Sequence, residues 1–172
     1  TIRQLENFAN KVSVPFGYLF LKEHPKEVIP ITFFRTKNKH HPFNLNIYDT
    51  VLMLQRRQDW LSEQKKEDGC EQLDFIGRFT TDSSLEEVVN YVRGLLGYSP
   101  DWAFDKKDQR EAVRKLTQAM ENAGCFVSFL TQVGNQSKRK IAVEDCRGFA
   151  LCDAYAPFIF INNADSNTAQ VF

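Results

Sequence analysis

The sequence carries no excess of charge of either sign, since 22 lysines and arginines balance 22 aspartates and glutamates. A surface that binds nucleic acid usually appears as an excess of basic residues, so the composition argues against general nucleic-acid binding. The chain also lacks an apolar run long enough to cross a bilayer, and its first residues lack the pattern of a signal peptide. We therefore expect a cytoplasmic protein that does not associate with membranes.

Cysteine and histidine are few, and neither shows the spacing of a metal site. The absence of any CxxC pair predicts reduced thiols at four positions: Cys70, Cys125, Cys146 and Cys152. We interpret Cys125 and Cys152 as small buried core residues. The histidines share one proline-containing segment and are interpreted as solvated loop residues rather than zinc ligands: His24, His40 and His41. A Cys–His nucleophilic site has no positive support, although its partners can be far apart in sequence.

The chain does have enough apolar sequence for a core, because 42% of its 172 residues are hydrophobic and fifteen are Phe. Residues 2–12 predict an amphipathic helix, which Pro15 separates from a second short helix over residues 16–21. Residues 22–44 are polar and punctuated by prolines, which predicts an extended linker with an apolar anchor at residues 31–34.

Three longer helices are predicted next. The first covers residues 45–67, the second follows an N-cap at Ser84 and ends at Gly97, and the third follows an N-cap at Asp108 and reaches Ala123. The apolar stripe of the first is Ile47, Val51, Leu54 and Leu61, with Leu45, Tyr48, Leu52 and Trp60 beside it. The buried stripe predicted for the second is Leu85, Val88, Val89, Val92, Leu95 and Leu96.

Strand-forming sequence is concentrated near the C-terminus. Residues 125–130, 147–152 and 158–161 predict three strands, and a new helix begins around Thr168. The third strand is apolar on both faces, so both should be covered, and the proline before it fits either a strand's first residue or an edge strand. This order predicts an α+β fold, with N-terminal helices packed on a small three-stranded sheet that leads into another helix.

Two groups of charged residues could carry chemistry. Arg56 and Arg57 lie on the polar face of the long helix, which we interpret as a solvated face with helical ion pairs, such as Arg56 with Asp59. A phosphate contact is the alternative. A second group flanks the second strand and consists of Glu144, Asp145 and Asp153. We interpret Asp153 as a turn residue, with a pair of acid–base carboxylates as the alternative.

One C-terminal segment reads Arg147-Gly-Phe-Ala-Leu-x-Asp-x-Tyr-Ala-Pro-Phe-Ile-x-Ile-Asn162, then Asp165-Ser-x-x-Ala-Gln-x-Phe172. It closely resembles the ImmA/IrrE family of zinc metallopeptidases. Shorter segments look like the family's longer variants: Phe33-Phe-Arg-Thr36, Gln55-Arg-Arg-Gln-x-Trp-Leu61, Phe75-Ile-Gly77 and Gly134-Asn135. Those variants carry an N-terminal helix-turn-helix of the Xre/Cro type, and its last two helices are similar to Thr1-Ile-Arg-Gln-Leu-Glu-x-Phe-Ala and Val14-Pro-Phe-Gly-Tyr-Leu-Phe-Leu21.

In this family the C-terminal segment is followed by T-L-x-H-E-x-x-H, whose histidines bind zinc and whose Glu acts as general base. The resemblance implies a piece of a zinc-dependent endopeptidase or transcriptional regulator that is cut at both ends. Residues 1–21 would close a DNA-binding domain, 22–44 would be a linker, and 45–172 would begin the peptidase domain. The zinc helix would continue past Phe172, so no metal ligand or catalytic residue transfers to this sequence. We expect the fragment to be inactive and free of catalytic zinc.

The resemblance also implies partners, namely a repressor or other protein as substrate and DNA through the helix-turn-helix. Substrate would bind by strand addition along Phe158, Ile159, Phe160, Ile161 and Asn162. The alternatives are a non-enzymatic regulator that senses or dimerises through this domain, and a binding module of a phage or mobile element. Apolar side chains also predict self-association, around Phe8, Phe16, Phe20 and Phe172.

Overall fold

The computed structural model describes residues 1–12, 14–23, 31, 44–102 and 108–171. Within them the chain forms five α-helices, one 3-10 helix and one three-stranded sheet, which confirms the predicted α+β class. The elements are, in chain order, α1 (Ile2–Val12), the 3-10 helix Phe16–Phe20, α2 (Leu45–Glu67), α3 (Leu85–Leu96), α4 (Gln109–Asn122), β1 (Phe126–Leu130), β2 (Gly148–Leu151), β3 (Phe158–Asn162) and α5 (Asn167–Val171).

The last strand in sequence, β3, is the central strand of the sheet, whose order is β1-β3-β2. β1 pairs with β3 in parallel and β2 pairs with β3 antiparallel. Of the two alternatives given for Pro157, the edge strand is therefore wrong. Pro157 stands just before β3, where its carbonyl accepts a hydrogen bond from the Phe126 N–H at 2.8 Å. A residue without an N–H fits there because the ladder uses only its carbonyl.

The core lies between α2 and one face of the sheet. Three buried aliphatic residues of α2 meet the inward side chains of β2 and β3, among which Phe149 and Phe160 are in ring contact at 4.7 Å. The buried cluster consists of Ile47, Val51, Leu54, Ile141, Cys146, Phe149, Leu151, Ala156, Phe158 and Phe160. Ile31, the one described residue of the predicted apolar anchor, packs against this cluster.

Helix α2 has the predicted bounds, and its ends show why. The Asn44 side chain accepts hydrogen bonds from the N–H groups of Asn46 and Ile47, and Gly69 adopts φ +72° just after the last turn. One detail of the predicted stripe is wrong, because Trp60 is 66% exposed. The buried face of α2 includes Gln58, and a residue two positions on lies about 200° around the helix, on the opposite side.

Helix α3 contradicts the sequence prediction more strongly. Its caps are as predicted, with the Ser84 hydroxyl accepting from the Glu87 N–H and Gly97 in the left-handed region. Its apolar stripe, however, contains no buried residue, and Leu85 is 79% exposed. The physical reason is that α4 is its main neighbour among the described elements, so one helix covers only part of the stripe.

At the N-terminus α1 packs against the 3-10 helix. Ala9 is the only buried residue among those described in these two elements, whereas Phe8 and Phe20 are more than half exposed. Residues 24–30 and 32–43 of the predicted linker, which include the three histidines, fall outside the described residues, as does Phe172. Among the described residues, no helix is long and apolar enough to cross a membrane.

Candidate functional site

Residues 147–172, which carry the family resemblance, include the turn that joins β3 to α5, and several of their side chains make contacts at this turn. At its centre is Asn162, which is fully buried. Its side-chain amide donates to the carbonyls of Ile141 and Cys146 at 3.0 and 2.9 Å, and its Oδ1 accepts from the Ala164 N–H at 3.0 Å. A buried amide keeps this position only if its polar atoms are paired, so these contacts fix where β3 ends.

A charged pair fixes the next step of the chain. Arg147 Nη1 lies 3.1 Å from Asp165 Oδ2, and this carboxylate side chain is only 11% exposed. The Asp165 carbonyl in turn accepts from the Gln170 side chain at 2.8 Å, which ties α5 back to the turn. Thr168 also donates to Gln109 of α4 at 3.1 Å. The direction in which α5 leaves the sheet is therefore set by several independent contacts.

Gly148 is required by the close approach of β2 to β3. A Cβ at this position would lie 2.7 Å from the Phe160 carbonyl oxygen, closer than Cβ atoms approach an oxygen in proteins. The glycine of the resemblance segment is thus explained by packing within the sheet.

The loop between β2 and β3 is held by polar side chains of α2. Gln58 is buried, and its amide donates to the carbonyls of Leu151 and Ala156 at 2.8 and 2.9 Å. Ser62, also buried, donates to Asp153 Oδ2 at 3.1 Å. Helix α2 therefore positions the sheet through hydrogen bonds as well as apolar contacts.

Asp153 organises this loop, as the sequence predicts. Its Oδ1 accepts from the N–H groups of Tyr155 and Ala156 at 2.8 and 2.7 Å. Partial burial raises the pKa of the carboxyl, but these two donors, the Ser62 hydroxyl and the Lys66 ammonium outweigh that effect. The pKa of Asp153 consequently lies below its ordinary value, as expected of a carboxylate that receives several hydrogen bonds.

Beside the turn lies a groove of about 420 Å³ between α4 and α5. It opens near the carboxyl ends of the parallel strands β1 and β3, and Phe129 contributes to its floor. Its polar lining combines two arginines and one glutamate with a threonine and four side-chain amides: Arg110, Arg114, Glu121, Thr117, Gln118, Asn163, Asn167 and Gln170.

The five residues predicted to bind substrate, Phe158, Ile159, Phe160, Ile161 and Asn162, all belong to β3, so their backbone groups already pair with β1 and β2. Strand addition along β3 is therefore incompatible with the sheet, and that part of the prediction is wrong. Phe158 and Phe160 belong to the core, and Ile159 and Ile161 are half-buried on the other face. The outer edges of the sheet are formed by β1 and β2.

The other candidate residues do not assemble into a second site. Asp145 accepts from the Asn44 side chain at 2.6 Å, and Glu144 is exposed. Asp153 instead accepts from the N–H groups of its own loop and from Ser62. Within the described ranges, no group of three or more His, Cys, Asp or Glu residues could hold a metal ion. None of the ion pairs formed by described residues includes Arg56, so the predicted Arg56–Asp59 pair is not formed.

The four cysteines are unpaired thiols, but their burial differs from the prediction. Cys152 is exposed and Cys125 is half-buried, because Cys125 precedes β1 and Cys152 follows β2, outside the buried cluster. The buried thiol is Cys146, and burial raises its pKa to about 12 although the Gly148 N–H donates to it. Such a thiol is an inert part of the core rather than a nucleophile.

The sequence interpretation missed Gln58 and Ser62. Gln58 lies four residues after the buried Leu54, and Ser62 lies four residues after Gln58. Both therefore continue the line of buried positions along one face of α2. Polar residues at the spacing of an apolar stripe are the signal that could have identified them.

Comparisons with known proteins find no match, since no protein-family model, no curated protein and no solved structure is recognisably similar to this chain. The likeness to the ImmA/IrrE family consequently depends on the residues of the motif segments themselves.

Proposed function

We propose that this chain forms the sheet and the helix entry of a zinc-dependent endopeptidase of the ImmA/IrrE type. The observation that carries the proposal is the concentration of buried polar contacts at one point, the turn from β3 to α5. Asn162 and the Arg147–Asp165 pair set the direction of α5, and the resemblance makes α5 the start of the zinc helix. A catalytic helix must be held rigidly, because small displacements of its side chains lower catalysis.

In this proposal the metal ligands and the general base come from the HExxH motif that the resemblance places after Phe172. When bound, zinc would polarise the scissile carbonyl and activate a water molecule. The described residues would position that helix and offer a strand edge to the substrate.

The strand edge that suits an extended substrate is the outer edge of β2. The Asn162 N–H donates to the Arg147 carbonyl, so the backbone groups of Arg147 face β3. Backbone groups in an antiparallel pair face the partner strand at every second residue. Those of Phe149 and Leu151 therefore also face β3, and those of Ala150 face outward. Ala150 is exposed, and within the described chain no turn, loop or cap hydrogen bond reaches it from another element. The other edge, on β1, is flanked by α4.

We assign the substrate to the class of repressor proteins and the protein to the cytoplasm, with DNA binding through a helix-turn-helix. The exposed apolar face of α1 and the 3-10 helix supports this assignment, because an element that leaves Phe8 and Phe20 in solvent is suited to packing against a further domain.

The proposal is tested by extending the chain with the segment that follows Phe172 in its gene and measuring zinc content and hydrolysis of a candidate repressor. We expect stoichiometric zinc and cleavage for the extended form, and neither for residues 1–172 alone. Replacing the motif Glu by Gln should keep zinc and abolish cleavage. Stoichiometric zinc on residues 1–172, or an extension without HExxH, would contradict the proposal.

The substrate edge has its own test in the extended form. Ala150→Pro removes one outward N–H from β2 and should lower kcat/KM by roughly tenfold, or ~1.4 kcal/mol. Val127→Pro is the matched control, since in the parallel register its N–H faces outward from β1. Equal losses in both variants would show that neither edge is specific.

A non-enzymatic regulator that dimerises is the second candidate, and the exposed apolar side chains of α1 and α3 favour it. We expect concentration-dependent self-association in sedimentation experiments. A regulator without catalysis would self-associate and bind its operator DNA. Its extended form would contain no zinc, and zinc content therefore distinguishes it from the peptidase.

A further inference from the structure

A second cleft, of about 370 Å³, lies away from the β3–α5 turn, between α2 and the connection from β1 to β2. One wall is the face of α2 that carries Asp49, Arg56 and Arg57. The opposite wall contains Arg139. Three guanidinium groups therefore meet a single carboxylate in a chain whose overall charge is zero.

Arg139 is held in place by contacts on one side of its guanidinium group. Its Nη2 lies 2.6 Å from Asp49 Oδ2 and 3.4 Å from the Leu45 carbonyl, and its Nε donates to Asn46 Oδ1 at 2.9 Å. The side chain is only 14% exposed. These bonds use Nε and Nη2, which leaves Nη1 without a hydrogen bond to any described residue. A fixed guanidinium group with an unused donor edge is prepared for a further acceptor.

Arg56 and Arg57 supply the charge that Arg139 lacks after its pairing with Asp49. Both are exposed, and neither forms an ion pair with a described residue. Leu52 and Met53 lie between them and Asp49 along the same helix face, so the cleft has an apolar floor beside its basic wall.

We propose that this cleft binds a phosphorylated small molecule, with its phosphate on Arg56, Arg57 and the free edge of Arg139 and its less polar part on Leu52 and Met53. Guanidinium groups match the geometry of phosphate oxygens, and several donors around one dianion outweigh the cost of its desolvation. The cleft volume suits a ligand of about the size of a nucleoside monophosphate. This site is independent of the proposed peptidase function.

The test is titration calorimetry of the 172-residue chain with inorganic phosphate and, separately, with a nucleoside monophosphate at an ionic strength of about 0.15 M, where the Debye length is about 8 Å. We expect saturable binding of both, with the nucleotide tighter because its base covers the apolar floor. The double variant Arg56→Gln/Arg57→Gln should raise Kd by at least about tenfold, because it removes two charge-assisted contacts. The thermal unfolding midpoint of this double variant should equal that of the wild type, since both side chains are exposed.

The matched control is Arg110→Gln/Arg114→Gln, which removes the same charge from the groove between α4 and α5. It should change Kd by less than about twofold, because long-range charge effects are screened. Equal weakening by both double variants would overturn the site in favour of non-specific attraction, as would the absence of saturable binding. Equal affinity for inorganic phosphate and the nucleotide would overturn the role given to the apolar floor.

Discussion

Helices α2 and α3 have similar apolar stripes and well-formed caps, yet only α2 is built into the core. Six residues of α2 are buried and none of α3 is. Three of the six are polar, namely Thr50, Gln58 and Ser62, and the last two donate hydrogen bonds to the loop between β2 and β3. The contrast shows that an apolar stripe makes a helix amphipathic, whereas a matching sheet face and paired polar groups decide whether it is buried.

The sharpest test of this contrast is to remove a side chain of equal size from each helix. Leu54→Ala in α2 should cost about 3–5 kcal/mol of unfolding free energy, because Leu54 is fully buried and leaves a cavity in the core. Leu85→Ala in α3 should change it by less than about 0.5 kcal/mol. Urea denaturation followed by circular dichroism measures both, and comparable losses would show that α3 is buried in solution.

The next largest effect is expected at the β3–α5 turn. Asn162→Ala leaves the carbonyls of Ile141 and Cys146 without their donor and should cost about 3 kcal/mol. Its exposed neighbour serves as the control, since Asn163→Ala should be nearly neutral. If the two variants unfold at the same urea concentration, the buried amide is not what holds this turn.

Replacing a glycine by alanine should have opposite effects on stability in the sheet that packs on α2 and in the exposed helix α3. Gly148→Ala should cost about 2 kcal/mol, because the new Cβ meets the Phe160 carbonyl and the strands must separate. Gly94→Ala lies inside α3 with open space around it and should stabilise the protein by about 0.5–1 kcal/mol. Thermal unfolding of the two variants compares them directly, and a shift in the same direction for both would contradict the packing described here.

The smallest effect concerns pH. Because the pKa of Asp153 is lower in the folded protein, its contribution to stability is complete above the ordinary aspartate pKa of about 4. It is lost as the pH falls through the lower, folded value. Asp153→Asn should therefore lose less stability than the wild type when the pH falls from 5 to 3, as measured by denaturant midpoints. An identical acid dependence in both proteins would exclude this carboxylate as a contributor.

Much of the fold could be predicted because the signals are local. Helical periodicity predicted the bounds of α2, and capping residues predicted the ends of α3 and the start of α4. The order of helices and strands followed from the same local patterns. Partners distant in sequence could not be predicted in the same way. The central position of β3 depends on pairing with residues 126–130 and 148–151, and no local pattern distinguishes a central strand from an edge strand that is apolar on both faces.

In the candidate site, too, roles that depend on neighbouring residues could be predicted, and roles that depend on distant residues could not. The role of Asp153 followed from turn chemistry, because its hydrogen-bond partners lie two and three residues away. The role of Gln58 did not, because its partners lie more than ninety residues further along the chain. The burial of Leu85 and its neighbours was overestimated because periodicity describes a helix surface and says nothing about what covers it.

The position of β3 also governs the order of folding. Among the described strands, β1 and β2 each pair with β3, and β3 follows both of them in sequence. During translation β1 and β2 therefore emerge without hydrogen-bonding partners, and the face of α2 that carries Leu54 has no complete sheet to cover it. The three-stranded sheet can therefore close only after residue 162 is available, so its formation depends on contacts that are distant in sequence.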